Sequence, residues 1–273
     1  MKTKKWITYT IYGILITLLF LYLRFPSDSV ANYIKSTIAA GNPDVVLSFD
    51  SATPSLPPGI SLSNIEISFR NKPDLIFRTD TLKIRPALTR LLSGKLSLFL
   101  NTDSYGGKIR TDVDFANRFS TEGPVNINNG FSNINLGKCS CLQAATGRRI
   151  SGILSGTLSY TGRLDRITNG AGSAKFSLLD GSMQLLREIF GLGELDFDKM
   201  DADITLKNRT LKITSLEMTG KQFSGSFSGN IFLRENIMRS RLSIKGNIKI
   251  HAMNRDISTT LNGTIANPVP RFM

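Results

Sequence analysis

The densest group of carboxylates in this 273-residue chain lies between positions 194 and 203. Closely spaced carboxylates can perform general acid–base hydrolysis or bind calcium. The stretch lacks a glycine-centred twelve-residue calcium loop, and its pattern is typical of the polar face of a strand and turn. We therefore expect neither catalysis nor metal binding from its five acids, which are Glu194, Asp196, Asp198, Asp201 and Asp203.

The single histidine, His251, is the one side chain that could act as the general base of a Ser-His-Asp triad. It lies in a strand-like pattern, and the chain has no Gly-x-Ser-x-Gly elbow. The Gly106-Gly107 pair and Gly220 are flanked by strand patterns instead of opening a helix, so they mark turns and not phosphate loops. The sequence indicates a protein that is not an enzyme and that needs no cofactor.

Cys139 and Cys141 are the only thiols, spaced Cys-x-Cys. On a strand, residues i and i+2 share a face, so the two sulfurs could meet, and an oxidising compartment would favour a local disulfide. Two structural cysteines without a functional bond are the alternative. A zinc site would need two more ligands, and His251 is far away in the sequence.

The chain carries a formal net charge of +13, and its 41% of hydrophobic residues is ordinary for a folded protein. Beyond the N-terminal segment, the basic residues are spread singly and not in blocks. Such a balance suits anionic lipid head groups or acidic partners. Nucleic-acid binding is not expected, because no basic run with interleaved aromatic residues and no zinc-finger pattern accompanies the charge.

An uncharged segment of eighteen residues runs from Trp6 to Leu23, with three lysines before it and Arg24 after it. As a helix it would be about 27 Å long, close to a hydrocarbon core of about 30 Å. The excess of lysine before it places the N-terminus in the cytoplasm. We expect a cytoplasmic tail (1–5), a transmembrane anchor (6–24) and a periplasmic domain (25–273).

A cleaved signal peptide is the competing interpretation, because Ser29-Val30-Ala31 resembles a cleavage site. The apolar stretch is longer than the hydrophobic region of a usual signal peptide, and Arg24, Pro26 and Asp28 intervene before the site. The retained anchor is therefore the preferred prediction, with the bulk of the chain in the periplasm of a bacterial envelope.

The residues after the anchor first follow a helical pattern and then a strand pattern. A short amphipathic helix is predicted from Ser27 or Asp28 to Gly41, lying on the membrane or packing onto the domain. Beyond it, apolar residues alternate with polar ones, which predicts about a dozen strands joined by short turns. Two further short helices are expected, around Ala87 to Leu92 and around Ser182 to Phe190.

These patterns predict a mainly β protein with a largely antiparallel sheet that is apolar on one side and polar on the other. If the sheet curls, its apolar side becomes either a filled core or a lipid-sized groove, and the pattern alone leaves both open. Eight apolar residues are candidates for lining such a groove: Leu96, Leu98, Leu100, Phe223, Phe227, Ile231, Leu242 and Ile244.

Several short motifs are distributed along the chain after the N-terminal anchor: Phe25-Pro26, Tyr33-Ile34, Leu56-Pro57-Pro58-Gly59-Ile60, LLSGKLSLFL from Leu91, and Tyr105-Gly106-Gly107. With these motifs, the layout resembles the type II secretion system protein N family. The resemblance covers nearly the whole chain. The glycine-rich later strands also resemble the AsmA-like superfamily, whose β-rich envelope domains have been linked to lipid transport; this implies a curved sheet shaped as a half-tube or groove.

The first resemblance implies a non-enzymatic, single-pass inner-membrane component of the type II secretion system, whose periplasmic domain contacts other secretion subunits. The second implies an AsmA-like protein that binds or transfers lipid, with inner-membrane lipids as partners and a phospholipid in the groove. A hydrolase using the acids from Asp196 to Asp203 is a weaker third option. The Cys139 and Cys141 pair departs from the pattern of the type II secretion family, and its function stays open.

Overall fold

The computed structural model describes residues 2–118, 120, 123–189, 192–251 and 255–272. Over these residues the protein is mainly β, with fifteen strands in one open antiparallel sheet. The spatial order of the strands follows the chain, except that β1 and β2 both pair with β3. This confirms the predicted mainly β, antiparallel class. The strands are β1 Val45–Ser48, β2 Ser51–Ser55, β3 Gly59–Phe69, β4 Lys72–Pro86, β5 Lys95–Ser104, β6 Gly107–Arg118, β7 Pro124–Asn135, β8 Ile150–Arg163, β9 Ala171–Ile189, β10 Leu192–Lys207, β11 Thr210–Thr219, β12 Phe223–Phe232, β13 Arg241–Ile250, β14 Arg255–Thr264 and β15 Pro268–Phe272.

Helices are few and mostly short. Two of them confirm predictions, namely the helix that begins at Ser27 and the one that ends at Leu92. The α-helices are α1 Lys2–Leu23, α2 Ser27–Gly41, α3 Leu88–Leu92 and α4 Ser140–Thr146, and the 3-10 helices are Leu136–Lys138, Leu164–Asn169 and Ile237–Arg239.

The helix predicted around Ser182 to Phe190 is wrong over its described residues. β9 continues to Ile189 and pairs with β10, with Met183 opposite Leu195 and Gln184 opposite Glu194. The apolar spacing of this stretch fits a helix, but hydrogen bonding to the neighbouring strand overrides that local preference. Phe190 lies outside the described residues.

The predicted anchor falls on α1, whose large apolar side chains, Trp6 and Phe20 among them, are exposed. Across the described residues, none of the helices combines the length and hydrophobicity that crossing a bilayer requires. The structure therefore contains the expected helix but does not support its assignment as a membrane span.

The register of the strands gathers the apolar residues on one side of the sheet. Residues directly opposite each other on antiparallel strands point to the same side. One such row begins on β5 and ends on β13: Leu98, Val113, Ile127, Tyr160, Gly172, Leu206, Leu211, Ile231 and Leu242. The neighbouring row begins on β4 and ends on β14: Ile84, Leu100, Thr111, Asn129, Leu158, Ala174, Ile204, Ile213, Gly229, Ile244 and Leu261. We call this side the apolar face. The opposite side, which carries residues such as Ser243 and Lys245, is the polar face.

Half of the buried apolar residues in the described part of the chain form two small clusters, and others, such as Val125 and Ile213, are buried outside them. The first, Phe49, Ala52, Leu62 and Ile65, is covered by Ala31 and Ile34 of α2. The second consists of Leu178, Phe197 and Phe223. The chain exposes 18031 Å² of surface, whereas a compact monomer of this length exposes about 12,000 Å². The fold is therefore largely a single layer, and most of its apolar face has no second layer packed on it.

Both edges of the sheet are protected against a further strand. At the first edge, α2 packs against β1 and β2. At the other edge, Thr264 and Asn267 exchange backbone hydrogen bonds across the turn between β14 and β15. Hydrogen-bonded and non-hydrogen-bonded residue pairs alternate along antiparallel strands. The backbone nitrogens of Pro268 and Pro270 therefore face away from β14. Proline has no N–H, so this outer edge lacks donors at both positions.

Candidate apolar binding face

The structure places all eight candidate groove residues on the apolar face, in two separate groups. Leu96, Leu98 and Leu100 lie on β5, and the other five lie on the adjacent strands β12 and β13, where Ile231 is opposite Leu242. Seven strand spacings of about 4.8 Å separate the groups, which is about 34 Å. The strands between the two groups carry further apolar residues on the same face, such as Val113 and Leu211. The strand register identifies these residues, whereas the sequence prediction did not include them.

The apolar face is open over much of its area. Along β13, half-buried apolar residues alternate with exposed polar ones, and no residue of that strand is buried. Leu158, near the middle of the sheet, exposes 41% of its surface. A packed core would bury these residues, so they are not part of one.

Aromatic rings make the floor of this face flat. A Cβ atom at Gly246 would collide with the ring of Phe227, which also lies close to Gly225. The absence of side chains at these glycines lets the ring lie along the sheet instead of projecting from it. The same arrangement recurs twice, with Phe197 over Gly181 and Tyr160 over Gly162 and Gly170.

Polar groups on the apolar face bond to each other or to the backbone. The Asn129 side-chain amide donates a hydrogen bond to the Thr111 hydroxyl on the neighbouring strand. The Tyr160 hydroxyl donates to the Arg163 carbonyl oxygen at 3.0 Å. Burial raises the pKa of Tyr160, and the nearby charge of Asp165 adds to the effect. Because these groups are already satisfied, the face keeps an apolar character even where its sequence is polar.

A disulfide-bonded segment lies beside the second buried cluster. Cys139 and Cys141 form a disulfide at the start of α4, not on a strand, and Cys141 is buried. The Tyr105 hydroxyl lies 3.8 Å from the Cys141 sulfur. Just before the disulfide, Leu136 packs against the second cluster. The bond thus constrains the segment that covers this part of the apolar face.

The acidic stretch on β10 is partly neutralised by lysines. Lys199 bonds to Asp201 at 2.8 Å, and Lys175 bonds to Asp203 at 3.2 Å. The hydrogen bond from Lys199 holds the pKa of Asp201 below its usual range. Within the described ranges, no cluster of three or more potential metal-ligating side chains occurs. These acids act as charge partners on the polar face.

His251 is held at the end of β13 by two contacts. Its Nδ1 lies 3.0 Å from the Lys221 carbonyl oxygen, and its Nε2 lies 3.2 Å from the Ser224 hydroxyl. A carbonyl oxygen can only accept, so Nδ1 carries the proton and Nε2 accepts from Ser224. The His251 ring therefore connects the turn at Lys221 with strand β12 at the surface.

Two of the motifs behind the family resemblance fall on turns of this fold, whereas Tyr33-Ile34 lies within α2 and LLSGKLSLFL runs from α3 into β5. Leu56–Pro58 joins β2 to β3, and Tyr105-Gly106 joins β5 to β6. Turn geometry shapes such residues, so they say little about what a protein binds. Comparison of the chain with protein-family models, with curated proteins and with solved structures finds no match.

Proposed function

We propose that the protein binds the acyl chains of lipids along its apolar face, as a non-enzymatic lipid-handling protein of the bacterial envelope. The supporting observation is the continuous apolar face, which crosses most of the sheet and lies largely uncovered. Exposed apolar surface of this extent marks a binding region in proteins, because leaving it in water is unfavourable.

The dimensions of the face suit an acyl chain. Four alternating apolar positions along a strand cover about 20 Å, and one lipid leaflet contributes about 15 Å of hydrocarbon to a bilayer core of about 30 Å. Each buried methylene contributes about 0.8 kcal/mol. A sixteen-carbon chain with one side against the open face thus gains about half of its full burial energy, on the order of 5 kcal/mol, which offsets part of the cost of association.

The edges and polar groups of the sheet favour lipid over another protein strand. A strand would add at an edge, where Pro268 and Pro270 remove backbone donors. An acyl chain needs no hydrogen bonds, and the Asn129 and Thr111 groups in the middle of the face are already bonded to each other. An apolar ligand lying across the face therefore meets few unsatisfied polar atoms.

Attachment to the inner membrane, with the N-terminus cytoplasmic and the bulk periplasmic, is part of this proposal. It rests on the uncharged segment from Trp6 to Leu23, the lysines before it and the exposed apolar side chains of α1. Fractionation of cells that express the chain with and without residues 1–24 tests it. Recovery of the full chain away from membranes would contradict this location.

A matched pair of substitutions on β13 tests lipid binding. Ile244 lies on the apolar face and Lys245 on the polar face. The full chain is purified in mild detergent, and phospholipid carried with it is quantified by native mass spectrometry. We expect bound phospholipid in the wild type and in Lys245→Asn, and a several-fold loss in Ile244→Asn. Absence of lipid from the wild type, or equal loss in both variants, would contradict the proposal.

A component of the type II secretion system is the second candidate function. It is favoured by the family resemblance and by two leucines outside the apolar face, Leu56 at 80% exposure and Leu92 at 91%. Both leucines lie at the surface, one in a turn and one at a helix end, where another secretion subunit can reach them. This function needs no lipid in the groove.

Export assays separate the two candidate functions. If the protein serves secretion, its deletion and the Leu56→Asp, Leu92→Asp double variant should both reduce export of type II substrates. The Ile244→Asn variant should leave export unchanged in that case. Normal export after deletion would remove the secretion function and leave the lipid proposal intact.

A further inference from the structure

The polar face carries a cleft that the apolar binding site does not use. It has a volume of about 920 Å³ and extends over strands β4 to β9. Its positively charged lining residues are Lys83, Arg85, Lys108 and Arg110. They alternate with apolar-face residues along β4 and β6, so these four side chains project from the side opposite the proposed acyl site.

The four cations of the cleft have no ion-pair partner among the described residues. Two carboxylates, Asp103 and Asp112, also line the cleft, and Asp103 accepts a hydrogen bond from Thr81 at 2.8 Å. Four cations against two carboxylates leave two positive charges. The cleft is therefore electrostatically suited to a ligand with about two negative charges.

One end of the cleft contains buried polar atoms without partners. The Nε atom of Arg85 and the hydroxyl oxygen of Ser55 are both buried and have no hydrogen-bond partner in the described part of the chain. Gly59 lies opposite Arg85, and a Cβ atom there would collide with the Arg85 side chain. Buried polar atoms are nearly always bonded, so these two mark a place where a ligand oxygen would complete the site.

We propose that this cleft binds a phosphate group, presented either by a soluble phosphorylated molecule or by a lipid head group. A phosphomonoester carries about two negative charges near neutral pH and several strong acceptor oxygens. Arginine binds phosphate through its planar fork and lysine as a point charge, and both are present. The proposal does not depend on acyl binding, because it concerns the other face of the sheet.

Binding of two probes to the full chain tests this site. Glycerol 3-phosphate represents the soluble source and is followed by calorimetry, and vesicles containing phosphatidic acid represent the lipid source. Lys108 and Arg110 are exposed, so the Lys108→Gln, Arg110→Gln variant is expected to fold, as circular dichroism can verify. Loss of two charge-assisted contacts should weaken binding at least tenfold. Lys249→Gln, an exposed lysine outside the cleft, is the matched control.

Ser55→Ala provides a second test that does not change charge. Removing a buried, unbonded hydroxyl should not lower the stability of the free protein, but it should weaken phosphate binding if the hydroxyl contacts the ligand. Binding of either probe that is lost in the cleft variants and kept in Lys249→Gln supports the site and identifies the source. No binding of either probe, or equal weakening by Lys249→Gln, would overturn it. The Ile244→Asn variant should bind glycerol 3-phosphate normally, so failure of acyl binding and failure of this site are distinguishable.

Discussion

Three aromatic rings of the apolar face lie against glycines of the sheet. One of these contacts joins Phe227 on β12 to Gly246 on β13, where a Cβ atom would also collide with the Ser226 carbonyl oxygen. Glycine at such a position costs strand stability by itself, and the packed ring compensates for it. Aromatic residues therefore form a flat apolar surface without a second layer of structure.

Substitution of Gly246 by alanine tests this packing. We expect Gly246→Ala to lower the free energy of unfolding by about 1–3 kcal/mol, because the ring and backbone must shift to admit the methyl group. Gly130→Ala is the control, since a Cβ atom there meets nothing within 4 Å. Urea unfolding of both variants measures the effect. Equal midpoints would show that Phe227 does not depend on Gly246.

The Asp114 carboxyl links α3 to the polar face. Partial burial acts to raise its pKa, but hydrogen bonds from Ser97 and Arg90 outweigh that effect and hold the pKa below its usual range. A carboxyl with a lowered pKa in the folded state stabilises the fold above its unfolded pKa of about 4. This contribution is lost as the pH falls through the folded-state pKa.

Asp114→Asn should therefore reduce stability at neutral pH and have little effect in strong acid. The Arg90 and Asp114 side chains are 50% and 33% exposed, so we expect a loss of about 0.5–1 kcal/mol at pH 7. Urea midpoints at pH 7 and near pH 3 measure the difference between wild type and variant. A deficit that persists unchanged in acid would contradict the role of the ionised carboxyl.

At the scale of elements, α2 closes one end of the apolar face. Its Ile34 packs against the buried cluster around Leu62, whereas the adjacent Tyr33 is 71% exposed. We expect Ile34→Ala to lower the free energy of unfolding by about 1–3 kcal/mol, and Tyr33→Ala to change it by less than about 0.5 kcal/mol. Chemical denaturation of the two variants provides the measurement. Similar effects of both would mean that α2 does not pack as described.

The prolines at the outer edge of β15 are expected to prevent molecules from associating through this edge in solution. Pro270→Thr restores an N–H donor on that edge, and this should promote pairing between molecules. Val269→Thr is the control, because its N–H already faces β14. Light scattering of concentrated protein should detect larger assemblies for Pro270→Thr only. If both variants scatter light as the wild type does, Pro270 is not needed to prevent pairing at this edge.

Much of the sheet follows from alternation in the sequence. On β13, the run from Leu242 to Ile250 alternates without interruption, and its strand was predicted. β7 was not predicted, because its many asparagines disfavour strands; it forms because β6 and β8 pair with it on both sides. The wrong helix after Ser182 has the same cause, since pairing between distant strands is invisible in a local window.

The candidate site was predictable in part. Residue types on β5, β12 and β13 identify apolar positions, and the register places them on one face. The absence of a covering layer is not encoded in any single strand, because it depends on where the helices pack. The polar cleft was missed for a related reason: Ser55 and Arg85 are separated by thirty positions, and only pairing through β3 brings them together.

At the scale of the whole molecule, most of the chain forms one open sheet and not a closed core. The accessible surface of 18031 Å² is about one and a half times that of a compact monomer of this length. Edges are protected by α2 and by prolines, while the apolar face is not covered. A protein strand would add at an edge, whereas an acyl chain would lie on the face. Protected edges and an uncovered face therefore agree with the proposal that the ligand is an acyl chain.

Site-specific photo-crosslinking tests this account most directly. A benzophenone side chain replaces Leu242 on the apolar face or, as the control, Ser243 on the polar face, and the full chain is irradiated with phospholipid vesicles. Neither residue lines the cleft proposed for phosphate. The account predicts that position 242 crosslinks to phospholipid acyl chains and position 243 does not. Crosslinking at neither position, or equally at both, would contradict the proposal that lipid binds along the apolar face.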